Sequence, residues 1–323
     1  MNVAVVGAGI SGLTCALRLA QAGHRVEVVS AAPPLRTTSA VAAALWYPYR
    51  ALPQQAVTRW AARSFTVLAE LARDVATGVA MRRGRELLPE PSPEPWWRDA
   101  VPTLDRVPER ELPPGFFDGF VLTVPVLDMA VHLPWLAAQL QQQGVRFRTQ
   151  TLTTLDEAAP HADVLVDCAG LGARELAKDA SLQPVRGQVV VVEQVGVTLW
   201  LLAQSDPVAL TYIVPRGQTV ILGGVAEDGS ERLDPDPATA QAVLERCSAL
   251  LPVLAGARIV EHKVGLRPAR PSVRLEAGRL DSGQPVVHDY GHGGAGVTLA
   301  YGCAPEVVEL VAGNEAGPLS VSR

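Results

Sequence analysis

Gly7, Gly9 and Gly12 stand in the spacing G-x-G-x-x-G, directly after the apolar run Val3–Val6. The first glycine permits a tight turn and the second lets the backbone approach a pyrophosphate. The third lets a helix pack closely on the preceding strand. The start of that helix adds unpaired N–H groups and a partial positive charge, which suit phosphate. Ile10 and Ser11 fill the turn and share the candidate contact. Strand, loop and helix are all in place, so the pattern points to a dinucleotide. One feature departs from it. An acidic residue usually closes the second strand and binds ribose, but here the run is Val29-Ser30-Ala31-Ala32. Ser30 is the candidate there, a weaker partner than a carboxylate. The missing acid speaks against NAD. The competing reading is a strand-to-helix turn with glycines for packing alone.

Arg267 lies in Gly265-Leu266-Arg267-Pro268-Ala269-Arg270-Pro271. Its planar fork of donors fits both oxygens of a carboxylate. The alternative is an ion-pairing surface arginine. Tyr212 can add a donor to the same anion, or be a core tyrosine with a satisfied hydroxyl. The run Gly291–Gly296 holds four glycines in six residues, more than a tight turn needs, and a helix follows near Val297 and Thr298. Glycines there let backbone atoms approach a ligand. A helix N-terminus aimed at an electron-rich ring edge stabilises negative charge on it. Gly293, Gly294, Gly296, Val297 and Thr298 are the candidates. His292 in isolation looks like a general base.

The elements around these residues follow from periodicity. Val3–Val6 reads as a buried strand; Leu13, Ala16, Leu17 and Ala20 mark a helix that Gly23 stops; Arg25–Val29 is a second strand. Val57, Trp60, Ser64, Leu68 and Leu71 form one helix face. Residues 84–119, rich in proline and carrying Trp96 and Trp97, read as irregular but packed. A helix is expected over Asp128–Gln143, with Pro134 in its first turn or kinking it. Val145–Thr151 and Val164–Asp167 read as strands, the latter leading into Gly170 and Gly172. Val189–Glu193, Thr211–Val214 and Thr219–Leu222 look antiparallel. Asp236-Pro237 starts a helix. Arg258–Leu266 and Pro285–Asp289 are the last strands, before a helix from about Val297 to Ala312.

The chain has 323 residues, enough for one large or two coupled domains. The net charge is −5 and no Lys/Arg run forms a patch, so nucleic-acid binding is not expected. No stretch reaches the roughly 18 unbroken apolar residues of a membrane helix. Met1–Gly9 lacks a basic leader and reads as a strand, and Val321-Ser322-Arg323 matches no peroxisomal tripeptide; a cytoplasmic location is expected. Cys15, Cys168, Cys247 and Cys303 show no metal-ligand spacing, so no metal is expected and they read as reduced, buried thiols.

Four separated segments, in order, resemble the D-amino-acid oxidase family over roughly residues 3 to 312. Val286-Val287-His288-Asp289-Tyr290-Gly291-His292-Gly293-Gly294-Ala295-Gly296, continuing to Gly302-Cys303-Ala304, resembles the signature of D-amino-acid and D-aspartate oxidases. Asp289 stands where Asn, His or Ala is usual. The stretch around Arg267 resembles the family's segment with the substrate-carboxylate arginine. Thr37–Trp46 resembles its flavin-contacting loop, and Thr211–Pro215, before Gly223-Gly224, the strand with an active-site tyrosine.

The resemblance implies an α/β fold: a Rossmann-like FAD-binding domain with an inserted α+β substrate domain on a mainly antiparallel sheet. The expected division is 1–50, 125–185 and 257–315 for FAD, 51–124 and 186–256 for substrate, and 316–323 as a flexible tail. It implies non-covalent FAD held by Gly7, Gly9, Ile10, Ser11, Gly12, Ser30, Thr38, Ser39, Ala42, Ala43, Leu45, Gly170, Gly293, Gly296, Val297 and Thr298. Arg267, Tyr212 and Gly294 would bind substrate. A D-amino acid is oxidised to an imino acid, which hydrolyses to a 2-oxo acid and ammonia, while oxygen becomes hydrogen peroxide. The α-hydrogen leaves as hydride, so no protein base is needed and His292 reads as structural. Neutral or apolar side chains are expected, because Ala203–Leu210 at the pocket mouth contains Asp206 and no arginine. Tyr47 replaces the usual Gln or His, and Val208 or Leu210 falls where a lid tyrosine is usual. D-aspartate, glycine or sarcosine oxidation, and a non-catalytic nucleotide-binding protein, are the rival readings. A monomer or homodimer is expected.

Overall fold

The apolar run at the start of the chain forms β1 (Asn2–Val6), and α1 (Ile10–Gln21) and β2 (Arg25–Ser30) follow it. This computed structural model describes residues 1–203 and 210–313. Residues 204–209, with Asp206 and Val208 of the expected pocket mouth, and the tail 316–323 lie outside the described residues. Leu13, Ala16 and Leu17 of α1 are buried, and Gly23 adopts φ +89°, which favours glycine and ends the helix.

The chain continues through α2 (Gln54–Leu71), β3 (Val79–Leu88), β4 (Asp105–Arg106), β5 (Asp118–Leu127), α3 (Met129–Gln142), β6 (Arg146–Thr149) and β7 (Val164–Asp167). Next come α4 (Ala173–Leu176), β8 (Gln183–Glu193), β9 (Trp200–Ala203), β10 (Thr211–Arg216), β11 (Thr219–Gly223), β12 (Glu227–Asp228) and α5 (Pro237–Leu250). The last elements are β13 (Ile259–Arg279), β14 (Pro285–His292) and α6 (Gly296–Gly313). Among the described residues all fourteen strands belong to one sheet, ordered β4-β5-β3-β9-β10-β11-β8-β13-β14-β7-β1-β2-β6, with β12 on β8. From β14 to β6 every pairing is parallel. Elsewhere the pairings are antiparallel, apart from β3 with β9. The architecture is therefore α/β, with an antiparallel portion joined to the parallel one through β13.

Two expectations are corrected. Residues 84–119 are not irregular throughout: β3 and β5 pair over Val79–Leu88, and the stretch between them is irregular apart from short 3-10 turns and the two-residue β4. Arg82, Arg83 and Arg85 hid the apolar alternation, and Gly84 is there because a Cβ would lie 2.1 Å from the Trp200 ring. The strand expected to end at Leu266 runs on to Arg279, through Pro268 and Pro271. Pro268 faces Pro184 at the end of the β8 ladder, and the β14 pairing slips between Ala269 and Arg274, where an irregularity tolerates prolines. Pro134 lies inside α3, whose cap is Asp128.

Strand period two divides the core. Val190, Val192, Ile213, Val220 and Leu222 meet Ala240, Val243 and Cys247 of α5. Val189, Val191, Val214 and Ile221 face the main core, which includes α1, α2, α3 and α6. The helices approach closely there: a Cβ on Gly302 would lie 1.9 Å from the Trp60 carbonyl oxygen.

His132 in α3 ties this core together and makes it acid-sensitive. Its Nδ1 lies 2.8 Å from the Thr77 carbonyl and its Nε2 2.9 Å from the Tyr301 hydroxyl, a pattern for neutral imidazole with the proton on Nδ1. Burial pulls its pKa down to about 4, against a small opposing effect of the Thr77 bond. The folded pKa lies below the unfolded value, so the unfolded chain binds the extra proton. The stability is present above about pH 6.5 and is lost as pH falls toward 4, by up to roughly 3 kcal/mol. Thermal unfolding of the protein and of His132→Gln at pH 7 and pH 4.5 checks this. The difference between the two proteins should shrink at the lower pH.

Candidate active site

A cavity of about 890 Å³ opens at the carboxyl ends of β1, β2 and β7 and reaches Arg267 and Tyr212. That is large for a small-molecule site, roughly 300–1,000 Å³, and it lies where open α/β sheets bind ligands. The glycine turn is built for close approach. Gly7 has φ +115°, and a Cβ on it would lie 2.4 Å from the Cys168 carbonyl oxygen. Gly9, Ile10 and Ser11 line the cavity with Gly7. Gly12 does not; a Cβ there would lie 2.0 Å from the Gly7 oxygen, so its role is packing helix on turn.

The other expected cofactor residues are brought to the same wall, with exceptions. Ser30, Thr38, Ser39, Ala42, Ala43, Leu45, Gly170, Gly293, Gly296 and Val297 all line the cavity. Some hydroxyls are already engaged. Ser30 donates to the Ala32 carbonyl at 2.9 Å and Thr38 to the Leu266 carbonyl at 3.2 Å. Ser39 accepts from the Ile10 N–H at 3.0 Å, holding the 37–41 turn on the start of α1. Thr298 is buried and is not among the lining residues; its hydroxyl donates to the Tyr47 carbonyl and accepts from the Tyr47 N–H, each at 3.0 Å, which fastens the loop 37–49 to α6.

At the far end Arg267 lies on β13, with its guanidinium where a Cβ on Gly187 would lie, 2.4 Å from Nη2. Nη1 donates to the Val225 carbonyl at 3.0 Å and to the Arg186 carbonyl at 3.4 Å. No carboxylate among the described residues is paired with it, whereas Arg270 donates to Asp179 at 2.9 Å. Tyr212 packs over Gly223 and Gly224, where added Cβ atoms would lie 2.0 and 2.7 Å from its ring and hydroxyl. Burial pushes its phenol pKa up, against the nearby charge of Arg267. Gly294 lines the same end.

Sequence reasoning missed three features. Tyr49 covers Gly294 so closely that a Cβ there would lie 2.4 Å from its Cδ1. Nothing in the spacing of Trp46-Tyr47-Pro48-Tyr49 marks it out. Tyr47 donates to the buried Glu86 at 2.7 Å and stands edge-on to Trp97. Finally, three of the four buried cysteines gather on Asp289. Its carboxylate accepts from Cys15 at 3.3 Å, with Cys168 at 3.9 Å and His292 Nε2 at 3.1 Å. Cys15, Cys168 and Asp289, and likewise Asp289, His292 and Cys303, hold ligand-type atoms within 4.8 Å of one another. The Cys15 thiol is pushed well above its usual range by its bond to Cys168 and by burial. Cys168 is drawn down by that bond, but burial and the nearby carboxylates raise it to about 11.

The glycine turn, the phosphate-suited helix start and the cavity at the carboxyl ends of the parallel strands define a dinucleotide-binding protein. A model of the FAD dependent oxidoreductase family matches residues 2–310, and the chain belongs to that family. It is 50% identical over 307 residues to a D-amino-acid oxidase of Rubrobacter xylanophilus, covering 95% of this chain and 94% of that one. It is 45% identical to a D-amino-acid oxidase of Streptomyces coelicolor, over 96% of each chain. A human D-aspartate oxidase is 36% identical over 96% of this chain and 94% of its own. The fold is shared with glycine oxidase from Geobacillus kaustophilus, at TM-score 0.81 and 18% identity, covering 99% of this chain and 96% of that one. The cofactor is FAD, and the cradle fits it: Gly7 and Gly9 leave room where side chains would intrude, and the N-terminus of α1 faces the opening.

Gly7→Ala tests that fit. The φ of +115° disfavours any side chain, and the Cβ meets backbone rather than a movable group. The dissociation constant for FAD, measured by flavin fluorescence, should rise by about tenfold or more.

Proposed function

We propose that this chain oxidises neutral and apolar D-amino acids to imino acids, which hydrolyse to 2-oxo acids and ammonia, with oxygen reduced to hydrogen peroxide. The observation that carries the reading is Arg267. A half-buried guanidinium without a carboxylate partner among the described residues, in the wall of the cofactor cavity, calls for an anion from outside. A substrate carboxylate supplies it, and the Arg267 fork fixes both its oxygens. Tyr212 donates to the same group, and the Gly294 carbonyl receives the amine. When bound, FAD supplies the two-electron acceptor for this oxidation and passes the electrons to oxygen. The protein contributes position and exclusion of water. Fixing carboxylate and amine at two points leaves one enantiomer with its α-hydrogen toward the ring.

Gly7, Gly9, Ile10 and Ser11 would hold the pyrophosphate, without covalent attachment. Ser30 and Gly170 would sit toward the adenosine half. Ala42, Ala43, Leu45, Gly293, Gly296 and Val297 would border the flavin. We divide the chain into a cofactor domain, 1–50, 125–185 and 257–315, and a substrate domain, 51–124 and 186–256; the parallel strands β1, β2, β6 and β7 fall in the first, and β3, β9, β10 and β11 in the second. No helix among the described residues is long and apolar enough to cross a membrane, and we assign the protein to the cytoplasm.

The side-chain preference rests on charge. Arg36 and Arg267 are the arginines of the described cavity wall, and Arg36 lies at the opposite end, beside the residues after β2. A peroxide-coupled screen of D- and L-amino acids should give higher kcat/KM for D-Met, D-Val or D-Phe than for D-Asp, with L-isomers inert. The reverse order for D-Asp would sink the preference.

Arg267→Ala should raise KM by roughly 30-fold to several thousandfold, the loss expected for one partner of a desolvated charged pair. Its kcat should fall too, because the carboxylate anchor sets the position of the α-carbon. Arg267→Lys should recover part of the loss, and FAD content should stay at the wild-type level. A near-normal KM in FAD-loaded Arg267→Ala would show that the carboxylate is held elsewhere.

A further inference from the structure

We propose that Tyr49 is a further carboxylate-binding residue: its hydroxyl donates a hydrogen bond to the substrate anion held by Arg267. This deepens the reading above and rests on it. The hydroxyl is buried, borders the cavity and has no hydrogen-bond partner among the described residues. Buried polar groups in folded chains are almost always satisfied, so an orphan at a cavity wall points to a partner that arrives with the ligand.

The surroundings identify that partner as an anion. The charge of Arg267 bears on the Tyr49 phenol, and Tyr49 in turn bears on Tyr212, so the three side chains share one end of the cavity. Burial raises the Tyr49 pKa, with Arg50 and Arg267 only partly offsetting it, so the phenol keeps its proton and is a donor at neutral pH. The ring is seated against Gly294, where a Cβ would lie 2.4 Å from its Cδ1. The stoichiometry of donors also fits. A carboxylate has about four lone-pair positions. The Arg267 fork takes two, and Tyr212 and Tyr49 take the other two, from the β10 strand and from the loop after β2. An anion saturated in this way is told apart from an amide or an ester, which accept fewer hydrogen bonds.

Tyr49→Phe keeps the ring in the same space and removes only the hydroxyl. The test uses FAD-loaded wild type, Tyr49→Phe and Arg267→Ala, titrated with benzoate and with benzamide while the flavin absorbance is followed. Loss of a hydrogen bond to a charged group should weaken benzoate about 10- to 150-fold in Tyr49→Phe. Benzamide should change by less than about threefold, on the same scale of affinities. KM for a neutral D-amino acid should rise with the benzoate constant, while kcat changes much less. An unchanged benzoate constant in Tyr49→Phe, with a weakened one in Arg267→Ala, would overturn the role of Tyr49 alone. Equal weakening of benzoate and benzamide would also overturn it, since Tyr49 would then only shape the pocket. If Arg267→Ala binds benzoate as wild type does, the carboxylate reading itself fails.

Discussion

The hydrogen-bond ladder on either side of β13 sets the geometry on which the site depends. Its first half pairs with β8 from Ile259 to Ala269, and its second half pairs with β14 from Ala269 to Arg279. One strand therefore belongs to both portions of the sheet. Arg267 lies two residues before the change of partner, and β14 ends in the glycine loop that starts α6. The separation between Arg267 and the cofactor cradle is thus fixed by backbone bonds, not by a loop or a domain hinge. A ladder of this kind holds catalytic groups to within fractions of an ångström, which is what positioning chemistry requires.

Around this frame the polar side chains are seated in space that glycines leave free. Arg267 occupies the place of a Cβ on Gly187, Tyr212 that of Gly223 and Gly224, and Tyr49 that of Gly294. Each pairing sinks a large functional group into the wall, so that its polar end reaches the cavity without filling it. The fit also removes rotamer freedom before any ligand arrives, which lowers the entropic cost of binding. The loop that carries Tyr47 and Tyr49 is locked in turn by Thr298, whose hydroxyl bonds both backbone groups of Tyr47.

Sequence reading worked where a residue's local chemistry decides its role. The turn Gly7–Gly12 and the parallel strands Val3–Val6 and Val164–Asp167 depend on neighbours in sequence, and their pattern states them. Arg267, set before Pro268, lines the cavity. Contacts made across the fold were hidden. The β3–β5 pair is masked by Arg82, Arg83 and Arg85, and the strand identity of residues 268–279 by prolines tolerated at an irregular register. The Thr298 hydroxyl bonds Tyr47, 251 residues away in sequence, a contact no local pattern displays. Tyr49 and the gathering of Cys15, Cys168 and Cys303 on Asp289 belong to the same class.

That gathering has a chemical consequence for durability. Thiolates, not thiols, react with peroxides, so a cysteine's vulnerability follows its pKa. Burial holds Cys303 well above its normal range and Cys247 up at about 12, and Cys15 and Cys168 are held up together beside Asp289. Cys168 borders the cavity itself, where an oxidase would release its own oxidant. Burial, with the neighbouring Asp289 carboxylate adding to it, keeps these thiols in the protonated form that peroxide attacks least.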